Sequence, residues 1–226
     1  MEEELTTTEE VSATVCEGPF PHLIIDNFYN EDELDLIWQE LNFYTYPNKL
    51  LPAKKYGGIP KQTKSKGIVL DSLYKNYVDA GKNYRNISNI LTVNRKLFDS
   101  GVLEVFADIH DCCRLATMSN DDITKVRYYH DGEGYEPHTD KAYQFLAFSY
   151  FYREPKKFTG GELFFPHYDY ELPCDNNSMI IFPGWVEHGV REVSISDSEY
   201  FEGYGRYAIT SFFGCRATNK NGRLTS

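Results

Sequence analysis

The chain has 226 residues, of which 41% are hydrophobic and 15% aromatic, and its formal net charge is −11 at pH 7. This length is typical of one globular domain with a sizeable core, and no apolar run approaches the roughly 20 residues that a transmembrane helix needs. Residues 1–4 are acidic where a secretory signal is basic and then apolar, and the five cysteines lack CxxC spacing, which argues against a disulfide framework or zinc ribbon. We therefore expect a cytoplasmic protein with no membrane partner.

Charge is distributed unevenly along the chain. Residues 1–48 hold 12 acidic residues and no Lys or Arg, whereas residues 49–96 hold 11 Lys and Arg against Asp71 and Asp79. The overall acidity therefore argues only weakly against a polyanionic partner. A solvated basic surface is the simpler interpretation of the second segment, and a binding role is the alternative.

The first predicted elements are a tail, a strand and a helix. Residues 1–18 are rich in Glu and Thr and predict a flexible acidic tail, with order beginning near Phe20. Residues 22–28 are apolar and β-branched, as in a strand. Asn30, with Glu33 three residues later, matches the capping box that begins a helix. The apolar side chains that follow have helical spacing on one face: Leu34, Ile37, Trp38 and Leu41.

A loop and a helical region come next. Residues 45–67 contain three prolines, three glycines and six lysines and predict a long loop. Loops of this length in compact domains are usually functional lids or disordered segments. Residues 86–116 are predicted to be mainly helical.

The C-terminal half is predicted to be a β structure. Short β-branched and aromatic runs alternate with Gly and Pro turns at 123–129, 143–153, 162–165, 178–182 and 206–213. Five or more short strands at this spacing are typical of a sandwich or barrel, here a jelly roll. We therefore predict an α+β fold with a mainly β core, a double-stranded β-helix of the cupin-like kind. One domain would cover 19–226, with helical support and a lid loop at 19–118 and the jelly-roll core at 119–226.

Three residues have the pattern of a metal site. His138 and Asp140 are two apart, so on a strand their side chains point to the same side. His188 follows another predicted strand, which can bring it to the same point. Two His and one carboxylate leave three positions open on an octahedral metal, the arrangement that non-haem Fe(II) oxygenases use. Alone this pattern is weak, because a His and an Asp two apart occur by chance.

The surrounding sequence resembles the metal-binding segment of prolyl 4-hydroxylases, in the 2-oxoglutarate/Fe(II)-dependent oxygenase superfamily. The run YHDGEGYEPHTD at 129–140 carries a Tyr nine residues before the His, a Gly six before it and a Tyr-Glu-Pro run into His-x-Asp. The run GGELFFP at 160–166 resembles the turn and strand that follow in the superfamily. Residues 177–190 resemble its distal histidine strand, and the run RYAITSFF at 206–213 resembles the strand that binds the co-substrate.

The resemblance, specific over 123–213 and loose over 19–214, implies the cofactors. Fe(II) would be held by His138, Asp140 and His188, with 2-oxoglutarate as co-substrate, O2 as oxidant and ascorbate as reductant. Asp140 is retained, whereas the halogenating branch has a small residue there, so we expect hydroxylation.

The same resemblance implies a co-substrate site. Arg206 would pair with the buried distal carboxylate of 2-oxoglutarate, and Thr210, on the same side of the strand, would add a hydroxyl. Tyr129 and Tyr152 are candidates for further hydrogen bonds, with ordinary packing as the alternative for each.

The identity of the clamping residue is open between two arginines. In collagen-type prolyl hydroxylases it is usually a Lys about ten residues after the distal His, whereas Arg206 stands 18 residues after His188, beyond what looks like an inserted loop at 194–205. Arg191 is the competing candidate. We favour Arg206, because Arg191 would still lie in the turn.

The resemblance implies that the chain hydroxylates a prolyl residue in a peptide or protein and forms succinate and CO2, like procollagen-proline 4-dioxygenases. Related enzymes have a mobile loop that folds over the bound peptide, and we predict a substrate lid carrying Lys54, Lys55, Lys61 and Lys64.

Two alternatives stay open: a same-fold oxygenase acting on nucleic acid or a small molecule, and a non-catalytic interaction module. Nucleic acid is not the expected partner, because such enzymes carry a second Arg six residues after the clamping one and position 212 is Phe. Non-catalytic members usually lose a metal ligand or the clamp, and this chain has candidates for both.

Overall fold

Two antiparallel sheets face each other in the computed structural model, which describes residues 10–46, 49–75, 83–196 and 200–216, and helices cover the outer side of the larger sheet. The helices are α1 (Glu31–Thr45), α2 (Ala53–Tyr56), α3 (Leu70–Lys75), α4 (Asn89–Val93), α5 (Lys96–Asp99) and α6 (Val102–Ile109). Short 3-10 segments lie at Tyr84–Ile87, Asp111–Met118, Pro166–Tyr168 and Tyr200–Glu202. The predicted helical character of 86–116 is confirmed. No helix in these ranges is both long and apolar enough to cross a bilayer.

The strands run through both halves of the chain. They are β1 (Ser12–Cys16), β2 (His22–Asp26), β3 (Leu51–Pro52), β4 (Lys66–Val69), β5 (Asp121–Tyr129), β6 (Glu133–His138), β7 (Phe145–Phe151), β8 (Phe158–Thr159), β9 (Leu163–Phe165), β10 (Tyr170–Leu172), β11 (Met179–Pro183), β12 (His188–Ile195) and β13 (Arg206–Gly214). The larger sheet has the order β1-β2-β11-β7-β13-β5-β4-β3, and the smaller has β10-β9-β12-β6, with β8 paired to β12. This is a double-stranded β-helix with helical support, as predicted.

The core has two layers, one on each side of the larger sheet. Every residue of β13 is buried, and its side chains alternate between the layers. Tyr207 and Ile209 pack against the helices, whereas Ala208 and Phe212 pack between the two sheets. Because successive strand residues point to opposite faces, β13 serves both layers. The space between the sheets is where Arg206 and Thr210 also point.

Helix α1 begins as predicted. The side chain of Asn30 accepts a hydrogen bond from the backbone N–H of Glu33 at 2.9 Å, and the Glu33 carboxylate accepts one from the Asn30 backbone at 2.9 Å. At the other end of the helix, the buried Glu40 carboxylate accepts hydrogen bonds from the Ser88 hydroxyl and the Ile90 backbone. These contacts hold α1 to α4 and so fix the support behind the larger sheet.

The predicted flexible tail is wrong over residues 12–16. These residues form β1, which pairs antiparallel with β2 along its whole length. Strand β2 is an apolar strand of the larger sheet, and its free edge supplies the backbone hydrogen bonds that order the largely exposed segment 12–16. Residues 1–9 of the predicted tail lie outside the described residues.

The predicted long loop at 45–67 is wrong in part. Strands β3 and β4 extend the larger sheet beyond β5, and α2 lies between them. Tyr56 holds α2 in place, because the residue is only 2% exposed and its hydroxyl hydrogen-bonds with the Ser65 hydroxyl at 2.8 Å. Residues 47–48 of the predicted loop lie outside the described residues.

The predicted insertion at 194–205 lies partly in regular structure. Strand β12 continues to Ile195, and Tyr200–Glu202 forms a 3-10 turn. The Tyr200 ring packs on the Tyr128 ring at 4.9 Å, in the layer on the helical side of the larger sheet. The turn therefore covers the side of the sheet away from the space between the sheets. Residues 197–199 of the insertion lie outside the described residues.

Candidate active site

The three predicted metal ligands come from one pair of strands and the turn beside them. Strands β6 and β12 are antiparallel, and His188 stands directly opposite His138. Asp140 follows β6 and donates its backbone N–H to the Gly184 carbonyl at 3.0 Å. A Cβ at Gly184 would lie 2.4 Å from the Tyr143 carbonyl oxygen, so only glycine permits this approach of the two turns.

The ligand atoms converge. Asp140 Oδ2 lies 3.7 Å from His138 Nε2 and 3.5 Å from His188 Nε2, and one atom from each side chain fits within a 4.8 Å cluster. These separations exceed hydrogen-bond distance but suit three atoms that share one ion. The structure therefore brings together the residues that the His-x-Asp pattern and the distal His predicted.

The second nitrogen of each imidazole is already used. His138 Nδ1 lies 2.9 Å from the Glu136 carbonyl and His188 Nδ1 lies 3.0 Å from the Val186 carbonyl. A carbonyl oxygen only accepts, so each Nδ1 carries the proton and each Nε2 offers a lone pair toward Asp140. Both rings are thus fixed in the tautomer and orientation that metal ligation requires.

Electrostatics keeps His138 and Asp140 in their ligating protonation states. Burial, with the neighbouring His188 adding to it, lowers the pKa of His138 to about 4. Burial by itself raises the pKa of Asp140, but His188, His138 and Arg127 outweigh it and lower that pKa to about 2. At neutral pH the cluster is therefore a neutral imidazole beside a carboxylate, as a divalent cation needs.

The donor set fits Fe(II). His188 Nε2 and Asp140 Oδ2 are buried and lack hydrogen-bond partners among the described residues. Buried polar atoms of this kind are costly unless a partner is supplied. Two imidazole nitrogens and one carboxylate oxygen are the ligands of a non-haem iron site with open positions.

Arg206 is the second notable group of the site. Its side chain is fully buried, and none of its three guanidinium nitrogens has a hydrogen-bond partner in the described part of the chain. The guanidinium lies 5.0 Å from the Tyr129 ring and 4.8 Å from the Tyr150 ring, and the thiol of Cys174 is also beside it. A buried cation with free donors is arranged for an anion, such as the distal carboxylate of 2-oxoglutarate.

The competing arginine lies elsewhere. The Arg191 side chain is 52% exposed, donates to the Glu171 carboxylate at 2.8 Å and stacks on the Phe164 ring. It has an ordinary surface partner and points away from the space between the sheets, whereas its neighbour Val190 points into it. The geometry therefore favours Arg206 for an internal anion.

Of the two predicted tyrosines, one lies beside Arg206 and the other does not. Tyr129 lies against Arg206, but the ring contacts of Tyr152 are with Phe158 and Lys156. Tyr150, two residues earlier on the same face, has the place that we had assigned to Tyr152, and its buried hydroxyl lacks a hydrogen-bond partner in the described structure. Sequence alternation gives the face of β7 correctly but not the position along the strand, which depends on the pairing of Tyr150 with Ala208.

Thr210 points to the predicted side of β13, and its hydroxyl accepts a hydrogen bond from Arg127 Nη1 at 3.3 Å. Sequence analysis missed Arg127 and Lys125. Both precede Tyr129 at the strand period of two, which is the signal that places all three on one face of β5.

The structure explains why glycine is needed at Gly161, the second residue of the GGELFFP run. Its φ is +82°, and a Cβ there would lie 2.8 Å from Cδ of Arg206. Glycine thus supplies both a left-handed backbone and the space that Arg206 occupies.

Gly161→Ala is expected to displace Arg206 and raise the KM for 2-oxoglutarate by about tenfold or more, since one charge-assisted hydrogen bond contributes about 1.5–3 kcal/mol. Steady-state kinetics with varied 2-oxoglutarate measures this. Gly132→Ala is the matched control, because Gly132 also has a positive φ but no atom within 4 Å of its Cβ position. Equal kinetics for the two variants would contradict the assigned role.

The four lid lysines are all exposed. Lys54 and Lys55 lie on α2, and Lys61 and Lys64 line a groove of about 360 Å³ that also contains Arg191 and Glu192. The intervening segment is fastened to β6, since Glu136 N–H donates to the Gln62 carbonyl at 2.9 Å and the Thr63 hydroxyl donates to the Gly134 carbonyl at 2.7 Å.

Comparison with known proteins finds a family model that matches residues in the β core. Residues 124–214 match the model of the 2OG-Fe(II) oxygenase superfamily. No curated protein matches the chain.

Several solved structures share the fold at low sequence identity. A prolyl-4-hydroxylase from Pseudomonas putida is 16% identical with a TM-score of 0.54, over 87% of this chain and 93% of that one. A prolyl hydroxylase from Trichoplax adhaerens, solved with a peptide of the hypoxia inducible factor oxygen degradation domain, is 14% identical with a TM-score of 0.57, over 85% and 83%. A 2OG-Fe(II) oxygenase family oxidoreductase from Burkholderia pseudomallei is 14% identical with a TM-score of 0.50, over 90% and 89%.

Proposed function

We propose that this chain is a member of the 2OG-Fe(II) oxygenase superfamily, whose model matches residues 124–214, and that it is a dioxygenase using Fe(II), 2-oxoglutarate and O2. We further propose that it hydroxylates a prolyl residue in a peptide or protein. The bound iron supplies the redox chemistry with O2 and 2-oxoglutarate, which yields succinate and CO2. The protein binds and orients the reactants and excludes water.

One observation carries the proposal: two imidazoles and one carboxylate converge in the same interior space as a fully buried arginine whose guanidinium has no hydrogen-bond partner among the described residues. A dicarboxylate co-substrate is suited to this pair of sites, since one end has a metal to bind and the other has Arg206. The charges on each side are then balanced inside the protein.

Support for a prolyl substrate comes from the segment that leads into the metal site. The run Tyr135-Glu136-Pro137 before His138 resembles that of prolyl 4-hydroxylases. The Tyr135 ring stacks on the His138 ring at 4.0 Å, so this run also orients the first metal ligand. The proposal includes ascorbate as the reductant that keeps the iron ferrous, and a cytoplasmic location.

The test is incubation with Fe(II), 2-oxoglutarate, ascorbate and a library of proline-containing peptides, followed by mass spectrometry and succinate measurement. We expect peptides that gain one oxygen atom on proline, with equimolar succinate. Peptides with Ala in place of Pro are the control. Coupled oxidation of a nucleic acid or a small molecule, with no peptide oxidised, would refute the prolyl assignment.

The lid prediction is tested by replacing Lys54, Lys55, Lys61 and Lys64 with Ala together. We expect the KM for the peptide to rise by about tenfold with little change in kcat, because four exposed charges contribute at most about 1 kcal/mol each. The control is Lys157→Ala, because Lys157 is exposed and stacks on the Tyr204 ring. Unchanged kinetics in the quadruple variant would reject the lid.

A further inference from the structure

Two additional cations point into the space between the sheets. Arg127 and Lys125 lie on β5, on the same face as Tyr129. Arg127 is 3% exposed, and its guanidinium lies 5.6–5.9 Å from the rings of Tyr56, Tyr135 and Phe212. Tyr135 is the residue that stacks on the metal ligand His138. Arg127 is therefore next to the metal cluster, on the side that the lid helix α2 covers.

Arg127 is only partly satisfied. Nη1 donates to Thr210 at 3.3 Å, whereas the buried Nε has no partner among the described residues. A guanidinium has five N–H donors and demands acceptors when it is buried. One hydroxyl and three aromatic faces leave it without an anionic partner in direct contact.

Lys125 is in a similar position but is more exposed than Arg127. Its Nζ lies 4.6 Å from the Phe212 ring, and a Cβ at the lid residue Gly57 would lie 3.8 Å from it. Lys125 makes no salt bridge or hydrogen bond with the parts of the chain that the structure describes. Burial, and then repulsion from Arg127, lower the pKa of Lys125 to about 8, although Asp140 opposes the shift.

The charges of the site, summed with a metal and 2-oxoglutarate bound, leave two cations without an anion. A divalent metal, the Asp140 carboxylate, the two carboxylates of 2-oxoglutarate and Arg206 sum to zero. Arg127, which is buried, and Lys125, which is half-buried, then remain as two positive charges in the space between the sheets. Buried charge of one sign is costly, and it is retained where a ligand supplies the opposite charge.

We propose that Arg127 and Lys125 form an anion subsite for the primary substrate, which is an acidic peptide with an Asp or Glu carboxylate beside the oxidised residue. This inference deepens the proposed function of the same site and rests on it. The predicted lid has the same sign of charge, because Lys54 and Lys55 are exposed on α2, the helix that ends just before Gly57. An acidic peptide entering between α2 and β5 would meet positive charge first outside and then inside.

The experiment uses the full chain loaded with Fe(II) and 2-oxoglutarate. Proline-centred peptides of equal length carry Asp or Glu, the matched Asn or Gln, or Lys at each position flanking the proline. Peptide binding is measured without O2 by fluorescence anisotropy, and turnover is measured with O2. We expect one acidic position to improve kcat/KM and binding by about tenfold or more over its amide match, the value of one hydrogen-bonded charge pair.

The variants are Arg127→Met, Lys125→Met and Lys125→Glu. Each Met variant should reduce the acid-over-amide ratio severalfold, and Lys125→Glu should shift the preference toward peptides with a flanking Lys. Lys157→Met, an exposed lysine on the Tyr204 ring, should keep the ratio of the parent chain. Because Lys125 is only half-buried, its variants keep the test open should Arg127→Met fail to fold.

Two results would overturn the subsite. One is a parent chain that treats acid and amide peptides alike. The other is a set of Met variants that raise the KM for 2-oxoglutarate and leave peptide discrimination unchanged, which would assign the cations to the co-substrate. Failure of the proposed function is distinguishable: Arg127-dependent binding of acidic peptides without oxidation of any proline would refute prolyl hydroxylation and retain the anion subsite.

Discussion

We expect the His188→Ala variant to lose more than about 100-fold in Fe(II) affinity, and to lose turnover with it. Removing only an outer partner of a metal ligand lowers metal affinity by up to about 100-fold, and removing the ligand itself should have a larger effect. The reason is that Nε2 of His188 has no hydrogen-bond partner in the described part of the chain and is free to bind a metal, while Nδ1 donates to the Val186 carbonyl. Two ligands would remain for an ion that the site holds with three. Iron content after anaerobic reconstitution and succinate formation measure the loss separately.

His167→Ala is the matched control, since His167 is 72% exposed and pairs with Glu187 on the surface. Asp140→Ala guards against misfolding of the buried His188 variant. Its side chain is 23% exposed, against 1% for His188, so its replacement disturbs the packing less and should remove iron from a folded protein. Normal iron content in both site variants would contradict the assignment of these ligands.

Much of this centre was predictable because its determinants are local. The capping box at Asn30, the spacing of His138 and Asp140 and the alternation in β13 each depend on residues a few positions apart. The one long-range requirement is that His188 lies opposite His138, which follows once β6 and β12 are neighbouring antiparallel strands of one sheet.

The missed elements depend on partners that are distant in sequence. Strand β1 is almost wholly exposed and is ordered by the edge of β2, and β4 is ordered by β5. Tyr150 was missed for the same reason, because its place beside Arg206 is set by strand register. Local pattern gives the face of a strand, whereas register decides which residue reaches a site.

The charged residues of the site were also missed because their burial depends on parts of the chain that are distant in sequence. For the basic segment 49–96 a solvated surface is the simpler interpretation and a binding role the alternative, whereas Arg127 and Lys125, which interact electrostatically with Asp140, lie outside that segment in a strand. In sequence they are ordinary charged residues of an alternating strand. Only the facing sheet makes them interior, because it covers the side of β5 that would otherwise be solvated.

Arg206→Met is expected to raise the KM for 2-oxoglutarate by about two orders of magnitude or more, since two charge-assisted hydrogen bonds contribute about 1.5–3 kcal/mol each. Binding of 2-oxoglutarate to the metal-loaded protein, measured calorimetrically without O2, should weaken to the same extent. Arg191→Met is the matched control, because that arginine has its partner Glu171 on the surface. A larger effect from Arg191→Met would reverse the assignment of the clamp.

Stability separates a binding role for Arg206 from a structural one. A structural buried arginine has acceptors, and its removal destabilises the fold by leaving them unpaired. The guanidinium of Arg206 instead has three nitrogens without partners among the described residues and two aromatic rings beside it. Methionine at this position replaces an uncompensated buried charge with apolar volume, so the melting temperature without 2-oxoglutarate should stay unchanged or rise. Addition of 2-oxoglutarate should then stabilise the parent chain but not the variant. A variant that melts well below the parent and is still stabilised by 2-oxoglutarate would show that Arg206 supports the fold and that the anion binds elsewhere.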